Sequence, residues 1–212
     1  MVHRTRPASG AVARGAPGRV RIIGGLWKRR LIDVVEAPGL RPTPDRVRET
    51  LFNWLTHLLG GLHERSVLDL FAGSGALGFE AASRGASPVV LVDASPQVLD
   101  ALRRAKDALG AGQVEIRGGD ALGMARTLAR AGSRFDLVLV DPPFASDLGG
   151  AALALAEDLL SNEGLVYYES SQALRAETLV DSGLALLRAD RAGDVFYHLL
   201  QRNKKNTKET VC

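Results

Sequence analysis

The chain predicts an α/β fold: a mostly parallel seven-stranded sheet with an antiparallel edge hairpin, preceded by a short N-terminal β-hairpin and helix. Three observations carry this prediction. From Ser66 onward, short apolar runs rich in β-branched residues alternate with segments of helical period, the pattern of right-handed βαβ units with helices on both sheet faces. A glycine-rich turn follows the first of these runs, in Val67-Leu68-Asp69-Leu70-Phe71-Ala72-Gly73-Ser74-Gly75-Ala76-Leu77-Gly78. The last two runs are joined only by Asp190-Arg191-Ala192-Gly193-Asp194, too short for a crossover helix, so they pair antiparallel.

Before that core, Arg19 to Ile23 and Leu31 to Val35 read as strands flanking Gly24-Gly25-Leu26-Trp27-Lys28-Arg29-Arg30, a hairpin with a basic tip. Pro38 to Asp45 is an extended loop, and Thr43 or Asp45 is placed to cap a helix running to about Leu59. The later strands are expected at Val67–Leu70, Pro88–Val92, Gln113–Arg117, Phe135–Val140, Gly164–Glu169, Ala185–Arg188 and Val195–Gln201. Helices are expected at Ala76–Arg84, Pro96–Leu109, Ala121–Ala131, Leu148–Leu160 and Ala173–Asp181. This divides the chain into a disordered basic tail (1–18), a hairpin-and-helix extension (19–62), a core (63–201) and a second basic tail (202–212).

Charge is distributed unevenly. Residues 1–30 hold eight Lys/Arg and no acid, whereas residues 31–200 carry a net charge of −8. Basic ends on an acidic body point to a polyanion partner such as nucleic acid, or else to solvated tails. No run of 18 apolar residues is present, which argues against a membrane helix. The Arg-rich start lacks the apolar stretch of a secretory signal. It reads as a disordered arm, or alternatively as an organelle transit segment. The one cysteine, Cys212, has no partner within the chain. A cytoplasmic, monomeric protein is the expectation.

In an open α/β sheet, ligands lie across the carboxyl ends of the strands. Four successive strands deliver an acid there: Asp69, Asp93, Asp120 and Asp141. The three glycines fit Gly-x-Gly-x-x-Gly, which alone also suits a dinucleotide and hence a dehydrogenase. Asp69, however, would crowd a pyrophosphate with negative charge. It suits a cofactor with positive charge and no phosphate, and S-adenosylmethionine has both properties. Its plainer alternative is a buried brace for the turn. Asp93 is placed for ribose hydroxyls and Asp120 for an adenine amine.

Asp141-Pro142-Pro143-Phe144 is the most specific motif. Two prolines stiffen the turn and remove two amide donors. The Asp141 carboxylate and the Pro142 carbonyl can both accept from one planar amino group, while Phe144 offers a face for a base. Such an amine is a poor nucleophile because its lone pair is delocalised, so two acceptors help turn it toward a methyl donor. A parallel sheet ending in an antiparallel hairpin, with this turn at its edge, has the shape of a class I S-adenosylmethionine-dependent methyltransferase (Rossmann-like). Trp27 among Lys28, Arg29 and Arg30 can stack on a base while the cations hold phosphates, or can pin the hairpin to the body. Arg41, Arg46 and Arg48 can contact phosphates or cross the cofactor pocket, or can be exposed helix-start residues paired with Asp45 and Glu49.

Arg21-Ile22-Ile23-Gly24-Gly25, Gly39-Leu40-Arg41-Pro42-Thr43, the run Asp45 to Leu55, Leu68 to Gly78 and Asp141 to Phe144 together resemble the RsmD family, bacterial methyltransferases of a guanine N2 amine in 16S ribosomal RNA. The resemblance covers about residues 19–201. It implies S-adenosylmethionine as donor and 16S rRNA within the small ribosomal subunit as partner; no metal site is expected. It places Asp69, Phe71, Ala72, Gly73, Ser74, Gly75, Asp93, Asp120 and Ala121 at the cofactor, and Asp141, Pro142, Pro143 and Phe144 at the catalytic turn. Trp27, Lys28, Arg29, Arg30, Arg41, Arg46 and Arg48 fall on the RNA side. Where family members often carry a second acid after the ribose acid, this chain has Ser95. The same turn would also serve adenine N6 or a protein glutamine amide, and a non-catalytic ribosome-binding factor could retain the fold.

Overall fold

Two β-branched runs at the N-terminus pair as a small antiparallel ribbon, β1 (Arg19–Arg21) with β2 (Leu31–Asp33), in register Val20↔Ile32. The computed structural model describes residues 18–35, 43–143, 148–175, 179 and 182–203. Helix α1 (Asp45–Leu59) follows the ribbon and buries Val47, Leu51, Phe52 and Leu55, one stripe at helical spacing. It stops at Gly60, which takes the left-handed conformation (φ 71°). The residue before α1 is Pro44, with no side-chain cap. The expected capping role of Thr43 or Asp45 is therefore corrected: both side chains are engaged elsewhere.

The core then alternates as its periodicity predicts: β3 (Val67–Asp69), α2 (Ala76–Ser83), β4 (Val89–Asp93), α3 (Pro96–Leu109), β5 (Val114–Gly118), α4 (Ala121–Arg130), β6 (Phe135–Val140), α5 (Leu148–Asp158), β7 (Leu160–Ser170), β8 (Leu184–Ala192) and β9 (Val195–Arg202). Seven strands form one sheet in the order β5-β4-β3-β6-β7-β9-β8. The β3–β4, β3–β6, β4–β5 and β6–β7 pairs are parallel, and β9 is antiparallel to both β7 and β8.

The order in which strands are added reverses between β3 and β6, which opens the cleft at their carboxyl ends. Alternate strand residues face opposite layers. Val67, Leu91, Leu139 and Tyr167 pack with α1, α2 and α3. Leu68, Val90, Val138 and Val166 pack with α4 and α5.

Two expectations need correction. β7 begins at Leu160, ahead of the expected Gly164, because a register irregularity near Phe135 lets Leu160 pair before Leu165 does. The helix expected over Ala173–Asp181 is absent at Ala173–Arg175. There the Leu174 amide donates to His198 Nε2 at 3.0 Å, which ties the segment to β9. Most of the rest of that range lies outside the described residues, as do nearly all of both basic tails. No helix among the described residues is long and apolar enough to cross a membrane.

Helix α2 has every residue buried, because the sheet covers one side and the N-terminal ribbon the other. Glu80, the one acid on this helix, fixes the ribbon. Its carboxylate accepts the amides of Ile23 (2.7 Å) and Gly24 (2.8 Å) and pairs with Arg84 (2.7 Å). Ser83 Oγ accepts the Trp27 amide at 2.9 Å and donates to the Gly24 carbonyl at 2.6 Å. Gly25, at φ 75°, lies so close to the Ser83 carbonyl that a Cβ would collide with it.

Candidate active site

Strand register gathers the acids. Asp69 pairs with Leu91 on one side and Leu139 on the other, and Leu139 pairs with Tyr167. Side chains two residues further on share the same face, so Asp93, Asp69, Asp141 and Glu169 line up across four adjacent strands. A cleft of about 340 Å³ opens at this edge. Of the candidate cofactor residues, Asp69, Phe71, Ala72, Gly73, Ser74, Asp93, Asp120 and Ala121 line it, with Asp141, Pro142 and Pro143 at its far side. Gly75 does not line the cleft. It opens α2 at φ 76°, where a Cβ would fall 2.6 Å from Phe79 and 2.7 Å from Leu102. Phe144 lies outside the described residues.

Asp69 is 1% exposed, and its Oδ1 has no hydrogen-bond partner. Burial, with the charges of Asp93 and Glu169, raises it to about 7; the Phe71 and Gly78 amides oppose that shift. A buried carboxylate oxygen without a donor is costly unless a ligand supplies one. The arrangement therefore fits a cationic, donor-bearing group. Asp93 is held by two amides, Gly73 N at 3.0 Å to Oδ2 and Ser95 N at 2.8 Å to Oδ1. Ser95 caps α3 through the Val98 amide, so a serine at this position has a structural use. Asp120 Oδ2 caps α4 through Gly123 N at 2.6 Å, and the residue lines the cleft from there.

Asp141 is crowded. Burial and the charges of Glu169 and Asp69 push its carboxyl well above the usual range. Thr43 Oγ1 lies 3.3 Å from Asp141 Oδ2 and 3.3 Å from Glu169 Oε1. The buried Tyr167 hydroxyl donates to Glu169 Oε1 at 2.7 Å. Glu169, 3% exposed, is itself raised, mainly by burial. Sequence reasoning missed Glu169, Thr43 and Tyr167. The signal for Glu169 was present, since it closes the fifth predicted strand as Asp69, Asp93 and Asp141 close theirs.

The candidate RNA residues divide. Trp27 is 6% exposed within the core, so stacking on a base is corrected: the indole pins the ribbon to the body. Arg48 is 0% exposed. Its guanidinium donates to the Thr43 carbonyl (3.2 Å), the Arg21 carbonyl (2.9 Å) and Asp45 Oδ1 (2.6 Å), and lies 3.7 Å from Glu80. A phosphate contact by Arg48 is corrected as well, because every direction of its donor fork points into protein. Lys28, Arg29, Arg30 and Arg46 are exposed, although Arg30 also donates to the Ala108 carbonyl at the end of α3 (2.8 Å). Arg41 lies outside the described residues.

Residues 20–201 match the family described as Conserved hypothetical protein 95. Ribosomal RNA small subunit methyltransferase D of Escherichia coli K12 is 42% identical over 187 residues, 87% of this chain and 91% of that one. The Haemophilus influenzae protein of the same name is 37% identical over 88% of this chain and 95% of its own. The solved structure of yhhF from Escherichia coli aligns with a TM-score of 0.74 at 41% identity, covering 87% of this chain and 98% of that one. Sheet order, edge hairpin and cleft together make this a class I S-adenosylmethionine-dependent methyltransferase fold. The chain belongs to the Conserved hypothetical protein 95 family, which is the RsmD family its motifs resemble.

Proposed function

We propose that this chain methylates the exocyclic N2 of a guanine in 16S rRNA of the small ribosomal subunit, using S-adenosylmethionine. The observation that carries the reading is that the Asp141-Pro142-Pro143 turn and Asp69, whose Oδ1 has no hydrogen-bond partner, line one cleft. The curated relatives' names supply the rRNA of the small subunit. The choice of guanine N2 rests on the RsmD resemblance.

When bound, the cofactor supplies a methyl group on a sulfonium. Asp69 takes its cationic methionine end, Gly73 and Ser74 its backbone contacts, Asp93 the ribose and Asp120 with Ala121 the adenine. The Asp141 carboxylate and the Pro142 carbonyl accept the two hydrogens of the guanine amine and hold its nitrogen toward the methyl group. This is catalysis by placement more than by acid–base chemistry. Once alkylated, the nitrogen is acidic and gives its proton to Asp141 or water. Lys28, Arg29, Arg30 and Arg46 hold RNA phosphates, and the base enters single-stranded or flipped. The protein acts as a monomer in the cytoplasm.

The test is transfer from labelled S-adenosylmethionine to three acceptors side by side: small subunits lacking their natural methylations, naked 16S rRNA, and duplex DNA. Label in the subunits supports the reading. Label in DNA alone, or none in any nucleic acid, overturns it.

A further inference from the structure

Asp141 and Glu169 present a problem that the proposed reaction does not by itself explain. Val140 pairs with Tyr168 in the parallel β6–β7 ladder. The next residues, Asp141 and Glu169, are therefore neighbours on the same face. Two carboxyls set side by side repel each other unless a proton lies between them. Thr43 Oγ1 is 3.3 Å from both, yet a hydroxyl has one proton to donate. Tyr167 already donates to Glu169 Oε1 at 2.7 Å, which frees the Thr43 proton for Asp141 Oδ2. Thr43 is itself held in place, because its carbonyl accepts from Arg48 Nε at 3.2 Å.

We propose that Thr43 and Glu169 are positioning residues for Asp141. The Thr43 hydroxyl fixes Asp141 Oδ2 and leaves Oδ1 to the acceptor amine, and the adjacent Glu169 charge keeps Asp141 basic enough to take the amine's proton. The inference rests on the methyltransfer reading above and deepens it. The proton balance is simple. The acceptor nitrogen gains a methyl group and a positive charge, then loses one proton to Asp141, which returns it to solvent after product leaves. The groups facing Asp141 are Glu169 on β7, Asp69 on β3 and the Thr43 hydroxyl before α1. Tyr167 acts through Glu169.

The experiment uses the full chain with Thr43→Val, Thr43→Ser and Glu169→Gln. Two readouts are taken: single-turnover methyl transfer to small subunits, and the 13C titration of the Asp141 carboxyl. Thr43→Val should lower the rate by about tenfold or more while cofactor Kd stays within about twofold, and Thr43→Ser should restore it. Glu169→Gln should move the Asp141 midpoint, and the acid limb of the rate profile, to lower pH. A packing role alone would move neither midpoint nor limb. An unchanged Asp141 titration in Glu169→Gln, or a Thr43→Ser variant as slow as Thr43→Val, overturns the inference while leaving the methyltransfer reading standing. A wild-type protein that transfers no methyl group overturns the reading itself.

Discussion

Arg48 donates from its guanidinium to the Thr43 carbonyl across 3.2 Å. A cation that from the sequence is a candidate for nucleic acid thus holds Thr43, whose hydroxyl reaches the Asp141 turn. The same guanidinium touches the ribbon, through the Arg21 carbonyl, and approaches Glu80 on α2. Arg48→Ala should destabilise the protein by about 3–5 kcal/mol, because it strips partners from buried acceptors and weakens the compensation of Glu80. Arg48→Lys should recover little of this, since an ammonium cannot reproduce the planar fork. Denaturant melts of the two variants check this.

Asp141→Ala should leave cofactor binding nearly intact and lower turnover by about 100-fold or more. Equilibrium binding of S-adenosylmethionine, together with single-turnover rates, separates the two effects. Normal turnover by the variant would remove Asp141 from the chemistry.

In the proposed reading, Asp69 links stability to cofactor binding. Burial raises its folded pKa to about 7 from the ordinary 3.8, so between those values the native state holds a proton that the unfolded chain releases. Between those values stability falls as pH rises, and it levels off above about 7. Asp69→Asn avoids that cost. It should be more stable than wild type at pH 8, by on the order of 2–4 kcal/mol, with the gap closing toward pH 4. The same variant should bind S-adenosylmethionine weakly at every pH, whereas wild-type affinity should rise with pH through about 7. Thermal melts and titrations at pH 5, 6.5 and 8 test both signs.

Lys28→Ala and Arg29→Ala remove exposed cations at the ribbon turn. Each should weaken RNA binding and reduce its salt slope by about 1, with cofactor affinity unchanged. Trp27→Ala should behave differently. It removes a core side chain and should cost about 3–5 kcal/mol of stability. Filter binding across salt concentrations, with melts in parallel, distinguishes a contact from a brace.

Much of this architecture is legible in the sequence because it rests on local periodicity. The alternation of strand and helix, the glycine turn and the Asp141-Pro142-Pro143 turn all announce themselves within a few residues. Residues that act at a distance are harder to read. Arg48 and Trp27 look exposed in a basic stretch, and only tertiary packing buries them, against α2 and its Glu80 and Ser83. Thr43 carries no local sign that it will meet Asp141, 98 residues away in sequence. Glu169 was readable as a strand-end acid, but its partnership with Asp141 follows from the β6–β7 register, which no single strand reveals.

Methyl transfer to guanine N2 at the Asp141 turn leaves a chemical product that can be identified. The most direct measurement is mass spectrometry of nucleosides from undermethylated small subunits incubated with S-adenosylmethionine and either wild type or Asp141→Ala. Wild type should yield N2-methylguanosine and the variant almost none. Methylation appearing instead on adenine, or N2-methylguanosine formed equally by both proteins, would contradict the proposed transfer.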